Sequence, residues 1–333
     1  MRLAGAEKVR DHQFHALVDA DLRILRTRPK YVPDFFVVGA PKAGTTAVFR
    51  WLQGHQEVFV PHIKEPSYFA YAGTSAVPLN GPFDPDYFNR ITTDPNDYAA
   101  LYASADGRLT GDVSPVYLVD QSVAAQIARA RPDARIIIIL RDPVERAFSQ
   151  YLHHVRDGLE PATSFDAALD LEPTRRAEGW SWGHCYATHS HYADQIARYL
   201  NAFPRQQILF LEFSQLDAAP DDCWRKICLH LGIAPTPLVN NPRLNVTAGL
   251  ASVSDRPAMT RALRHPGRVQ RLVKRLIPQG FRKRLRTWLE GAGKPLPVLE
   301  EATRQRLARR YDTERAGISE QTGLSLDHWT RAT

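Results

Sequence analysis

The sequence predicts an α/β fold in which a central parallel sheet carries helices on both faces. Three observations predict it. Short apolar runs at 34–40, 58–60, 110–113, 135–140 and 207–212 alternate with stretches of helical periodicity along the 333-residue chain. Alternating β and α units of this kind build parallel sheets. The run Arg135–Leu140 holds four isoleucines and a leucine. That is too short for a membrane span and too apolar for an edge strand, so it reads as a central strand buried on both faces. Finally, the run 34–40 ends in a glycine-bounded loop, Gly39 to Gly44, that leads directly into a helical segment. Strand, loop and helix N-terminus in that order make an anion site at the edge of an open α/β sheet.

Each element follows in order. Residues 34–40 read as a strand, 44–54 as a helix and Val58–Val60 as a short strand. Residues 86–104 read as helical, with Tyr98 and Tyr102 on one face. Thr110–Val113 is a short extended segment ended by Ser114 and Pro115, and 120–130 is helical. The strand 135–140 stops at Arg141-Asp142-Pro143, because proline cannot donate to a sheet ladder yet suits the first turn of a helix. A helix therefore starts at about 143. Residues 190–202 form an amphipathic helix, with Tyr192, Ile196, Tyr199 and Leu200 on one stripe. Gln207–Glu212 is another buried strand and 220–231 another helix. No internal repeat or low-complexity tract interrupts the pattern.

Composition sets the outer bounds. The chain is long enough for one large α/β domain, and its apolar and charged fractions are those of a globular protein. Residues 1–30 are charged throughout, without the apolar core of a signal peptide or anchor, and read as an extension before a domain at 31–333. The three cysteines, Cys185, Cys223 and Cys228, form no C-x-x-C pair, and their odd number fits a reducing, cytoplasmic setting. Residues 256–289 carry eleven Lys/Arg and no Asp or Glu, more than the whole chain's net charge of +7, and so explain its basic pI. Within them Val269, Leu272, Val273, Leu276, Ile277 and Phe281 give a basic helix, broken at Pro278, an apolar face. Such a segment can make peripheral contact with an anionic membrane, attract an anionic polysaccharide, close over a nucleotide, or be a solvated basic face. No nucleic-acid-binding module accompanies the charge.

The loop Pro41-Lys42-Ala43-Gly44-Thr45-Thr46 is the main chemical signal. Loop N–H groups and the positive end of a helix dipole converge where an anion belongs. The spacing of Gly39 and Gly44 is that of the triphosphate-binding P-loop, G-x-x-x-x-G-K-[ST], but Thr45 stands where that loop has its lysine. The lysine sits inside the loop, at Lys42, where it can reach the 5′ phosphate group of a nucleotide. The loop is thus P-loop-like rather than a P-loop. A second signal follows about a hundred residues on. Arg141 ends a strand, and Ser149 lies eight residues later on the next helix. Two turns of helix can bring the hydroxyl back toward the guanidinium, whose planar fork matches phosphate oxygens.

The loop resembles the 5′-phosphosulfate loop of the sulfotransferases that use 3′-phosphoadenosine 5′-phosphosulfate (PAPS). The Arg141–Ser149 pair resembles the 3′-phosphate motif of the same family. Lys64–Phe69, Gly111–Leu118, the Tyr192 helix with the following strand, and Leu324–Trp329 also look like bacterial members, so the resemblance covers most of 34–329. It implies transfer of a sulfuryl group to a hydroxyl of a glycan, glycolipid, lipid or small molecule. The released product would be 3′-phosphoadenosine 5′-phosphate (PAP), and no metal is needed. Lys42, Ala43, Gly44, Thr45 and Thr46 would hold the phosphosulfate, and Arg141 and Ser149 the 3′-phosphate. Lys64-Glu65-Pro66 resembles the Glu-Pro of the heparan-type enzymes, which makes Glu65 the expected base. His62 is the alternative, since cytosolic small-molecule members use a histidine. The heparan-type enzymes carry a second lysine where this chain has Val113, so a second cation has to come from elsewhere, with Lys64 a possibility.

Other readings stay open at this stage. His184, Cys185, His189 and His191 could form a metal cluster, although their spacing matches no usual zinc pattern. Trp180, Trp182 and Tyr186 suit stacking on an acceptor or burial in the core, and the stretches 71–90 and 160–190 are where acceptor loops are expected. One rival is a nucleotide kinase, with Asp142 as a formal magnesium partner. Another is a non-enzymatic protein that binds membranes or polyanions through 256–289.

Overall fold

A computed structural model of the chain describes residues 31–238, 252–253 and 294–332. The N-terminal extension and the basic segment 256–289 lie outside the described residues. Five strands form one parallel sheet: β1 Phe35–Gly39, β2 Val58–Phe59, β3 Leu109–Val113, β4 Arg135–Leu140 and β5 Ile208–Glu212, in the order β2-β3-β1-β4-β5. The register aligns Phe35 with Gly111 on one side and Arg135 on the other, and Ile136 with Ile208. Every residue of β1 is buried, as are Ile136–Leu140 of β4, as their unbroken apolar runs require. Gly111 is small for a packing reason, because a Cβ there would come within 2.0 Å of the Phe35 ring. Ser252–Val253 pairs antiparallel with Lys294–Pro295 apart from this sheet.

The principal helices are α1 Thr45–Gln53, α2 Val123–Ala130, α3 Pro143–Asp157, α4 Tyr192–Ala202, α5 Pro220–Leu231 and α6 Glu301–Thr322. Helix α4 buries Tyr192, Ile196 and Tyr199, as its stripe predicts. Among the described residues no helix is long and apolar enough to cross a membrane.

Two elements differ from the expectation. The helix expected over 86–104 is two short helices, Pro85–Phe88 and Pro95–Ala100. Asp94 ends the continuity. Its carboxylate accepts from the N–H groups of Asn96 (2.7 Å) and Asp97 (3.1 Å), capping a new helix that Pro95 begins. The 22-residue helix α6 had no counterpart in the sequence reading. Its buried stripe is thin and partly polar (Thr303, Leu307, Ala308, Tyr311, Ile318), so hydrophobic periodicity marks it weakly. Polar ties add to its docking: Arg304 pairs with Glu145 of α3 at 2.6 Å, and the Tyr311 hydroxyl donates to the Ala187 carbonyl at 2.9 Å.

Candidate active site

A cleft of about 740 Å³ opens at the C-terminal ends of β1 and β4. The chain builds β2 and β3 on one side of β1 and then crosses to build β4 and β5 on the other. The loops after β1 and β4 therefore diverge and leave a crevice, which is where open α/β sheets bind ligands.

The loop after β1 supplies the floor. Lys42 (φ 68°) and Gly44 (φ 87°) both adopt the left-handed conformation. For lysine that conformation is uncommon and costs energy that the surrounding fold must offset. At Gly44 it suits glycine, and a Cβ there would also press on Phe213 at 3.2 Å. Helix α1 then starts with no side-chain cap and no acid in its first turn. By contrast Asp84, Asp94, Asp142, Ser164 and Glu212 cap the helices they precede. An uncapped N-terminus facing a cleft, flanked by Thr45, Thr46 and Lys42, is a ready anion site. Burial pulls the Lys42 ammonium down to about 8, helped by the nearby charges of Arg156 and Arg141. An arriving anion would reverse that. Ala43 departs from the expected cradle. It is fully buried, its N–H donates to the Ala40 carbonyl at 3.1 Å, and it does not line the cleft.

The two sequence motifs meet here. Arg141, directly after β4, donates from Nη1 to the Lys42 carbonyl at 3.0 Å, and its guanidinium lies 4.6 Å from the centre of the Phe213 ring. The Tyr192 hydroxyl donates to the Arg141 carbonyl at 3.0 Å, which fixes the strand end from below. Burial lowers the Arg141 pKa, though arginine stays charged. Ser149, two turns along α3, lines the same cleft. Asp142 is not free to hold magnesium, because its Oδ1 accepts from the N–H groups of Val144 (2.9 Å) and Glu145 (3.0 Å) as the cap of α3.

Glu65 and Lys64 line the opposite wall and form an ion pair with each other. Glu65 has φ 63° and Ser67 φ 53°, so this wall is a tight, strained turn. Lys64 therefore lies in the cleft as a cation, paired with Glu65. His62 is exposed and does not line the cleft. Sequence reasoning missed three cations that line the cleft, Arg50, Arg90 and Arg156. Arg156, on α3, is held by Asp157 through Nε (2.9 Å) and Nη2 (3.0 Å). Only its place seven residues beyond Ser149, two helical turns along, could have pointed to it.

The stretches expected to shape the acceptor side do form one wall. Leu79 and Asn80 are tied to Gly179 by N–H···O bonds of 3.1 and 3.4 Å, and Asn80 Nδ2 donates to the Glu178 carbonyl at 2.7 Å. Phe83, Tyr87, Phe88 and Trp182 line the cleft. Trp180 instead packs over Gly81, and Tyr186 is buried between His154 (2.9 Å) and Glu160, so neither lines the cleft. Burial, with His184 beside it, drives the His154 pKa well below the usual histidine value. The suspected metal residues take separate partners. His184 Nε2 meets the Leu159 carbonyl at 3.1 Å, and His191 pairs with Glu314. Among the described residues no three His, Cys, Asp or Glu side chains converge as a metal site.

Comparison with known proteins agrees with this geometry. Residues 32–260 match the family described as "Sulfotransferase domain". Heparan sulfate glucosamine 3-O-sulfotransferase 3B1 of Homo sapiens is 25% identical over 256 residues, 74% of this chain and 60% of that protein. Bifunctional heparan sulfate N-deacetylase/N-sulfotransferase 3 of Homo sapiens is 27% identical over 212 residues, 61% of this chain and 23% of that protein. The chain thus spans less than two thirds of the length of these relatives. The crystal structure of a sulfotransferase from Alicyclobacillus acidocaldarius superposes with a TM-score of 0.68 at 25% identity, covering 90% of this chain and 99% of that one. By its sequence match and by the parallel sheet that brings Lys42 and Arg141 together, the chain belongs to the sulfotransferase family.

Proposed function

We propose that the protein transfers a sulfuryl group from PAPS to a hydroxyl-bearing acceptor and releases PAP. The observation that carries this reading is the meeting of the two anion-binding motifs, with Arg141 bonded to the Lys42 carbonyl at 3.0 Å in one cleft. One motif offers a helix N-terminus and an ammonium, the other a guanidinium and a hydroxyl. A nucleotide with charge at both its 5′ and 3′ positions needs both.

In the proposed reaction the acceptor oxygen attacks sulfur in line. A new S–O bond forms as the bond from sulfur to the bridging 5′-phosphate oxygen breaks, and that electron pair stays on the phosphate. Lys42, Thr45, Thr46 and the first N–H groups of α1 meet the charge that grows there. Glu65 accepts the acceptor's proton. Arg141 and Ser149 fix the 3′-phosphate, which sets the nucleotide's position relative to Glu65. Phe83, Tyr87, Phe88 and Trp182 border the space left for the acceptor. Single-turnover transfer from labelled PAPS to a panel of glycan, lipid and phenolic hydroxyls tests this. Glu65→Gln should lower turnover by roughly 10²–10⁴-fold, the usual worth of a general base, and leave PAP affinity unchanged. Near-normal turnover in that variant would remove Glu65 from the role.

A further inference from the structure

Beneath the Glu65 turn lies a buried carboxylate that the reaction scheme does not use. Asp112, near the end of β3, is fully buried. Its Oδ1 accepts from the Ser114 hydroxyl at 2.6 Å, and its Oδ2 from the Tyr98 and Tyr117 hydroxyls, each at 2.8 Å. Two of those hydroxyls reach onward to the segment that carries Glu65. Ser114 Oγ accepts from the Ser67 N–H at 3.0 Å, and the Tyr117 hydroxyl oxygen accepts from the Phe69 N–H at 3.3 Å. Ser67 Oγ in turn donates to the Glu65 carbonyl at 3.2 Å.

The proton bookkeeping gives the cluster a direction. An ionised carboxylate only accepts. It therefore draws the hydroxyl protons of Ser114 and Tyr117 toward itself and leaves their lone pairs facing the two N–H groups. Those N–H groups open the short helix Tyr68–Tyr71 and have no partner within it. Rings surround the cluster: Phe69 lies 6.0 Å from Tyr117 and Tyr68 stacks on Tyr98 at 4.5 Å. In so dry a site these bonds are strong, and an unmet partner is costly. The turn they hold is strained at both Glu65 and Ser67, so it needs an external hold to persist.

We infer that Asp112, acting through Ser114 and Tyr117, is a positioning residue that sets the Glu65 carboxylate in the cleft. The inference rests on the sulfotransferase reading for Glu65's role, whereas the hold on the turn stands independently of it. Asp112→Asn keeps the shape but places an amide donor against a hydroxyl donor. Whichever oxygen position the amide nitrogen takes, Ser114 or Tyr117 faces it and must turn its proton away from residue 112, which disturbs the lone pair offered to Ser67 or Phe69.

The experiment uses the full chain with PAP bound. It compares wild type with Asp112→Asn, Ser114→Ala and Tyr117→Phe, the latter two being milder should the first fold poorly. Amide hydrogen exchange at Ser67 and Phe69, PAP affinity and kcat are measured for each. The expected result is faster exchange at those two amides, PAP affinity within about twofold, and kcat lower by on the order of tenfold to a hundredfold, the range for a misplaced reacting group. Unchanged exchange would overturn the hold itself. Faster exchange with unchanged kcat, or a loss of PAP affinity as large as the loss of kcat, would overturn the positioning role. Failure of wild type to bind PAP would instead sink the sulfotransferase reading, with the exchange data still deciding the hold.

Discussion

Raising the pH above 8 should weaken PAP binding steeply, and the slope follows from Lys42. In the free cleft its ammonium titrates at about 8, because burial and the cations Arg156 and Arg141 disfavour the charge more than Asp157 and Glu65 favour it. A phosphate beside it favours the charged form and returns the pKa toward 10.5 or above. The bound state thus holds a proton that the free state has lost, so binding takes up a proton between pH 8 and 10. By linkage, the fall in affinity steepens above pH 8 toward tenfold per pH unit, about 1.4 kcal/mol each, and amounts to about fortyfold from pH 8 to 10. Phosphate groups, with a second pKa of about 6, are already fully ionised over this range and add no slope. Calorimetry at pH 7, 8, 9 and 10, repeated in buffers of different ionisation heat, reads both the affinity and the proton count. Lys42→Arg, always charged, should bind with a flat profile. A flat profile in wild type, or the same slope in Lys42→Arg, would refute the reasoning.

Other expectations follow from the same geometry. Arg141→Ala should cost PAP about 1.5–3 kcal/mol, the worth of a hydrogen bond to a charged group, and leave AMP affinity almost unchanged; equal losses for both ligands would separate Arg141 from the 3′-phosphate. Arg156→Ala removes the larger of the two cationic influences on Lys42, so the midpoint of the pH profile should move upward, and calorimetry across pH would show it. Gly44→Ala should destabilise the fold by about 1 kcal/mol or more in urea unfolding, since the position has φ 87°.

Sequence pattern made the parallel sheet legible because β1 and β4 are buried on both faces and so carry unbroken apolar runs. The cradle was legible for a related reason: a strand, two spaced glycines and a helix leave few alternatives for the loop between them. That Arg141 and Ser149 would reach one cleft was readable because a strand end runs straight into a helix whose second turn comes back beside it. What stayed hidden depends on orientation and on partners distant in the chain. Ala43 faces the core instead of the cleft, which the loop sequence does not encode locally. The break at Asp94 hides inside a pattern that is otherwise helical through Tyr98 and Tyr102. Arg156 looks like any charged residue near a helix end. Asp112 reads as a polar residue in a short strand, and its three hydroxyl partners come together only after β3 and the Tyr98 helix pack. Trp180 and Trp182 are two residues apart, yet one covers Gly81 and the other borders the cleft.

The most direct test of the central claim is calorimetric binding of PAP against ADP, AMP and Mg-ATP. The paired motifs at Lys42 and Arg141 predict clear preference for PAP, lost on Arg141→Ala. Preference for Mg-ATP, or equal affinity for nucleotides with and without the 3′-phosphate, would contradict it.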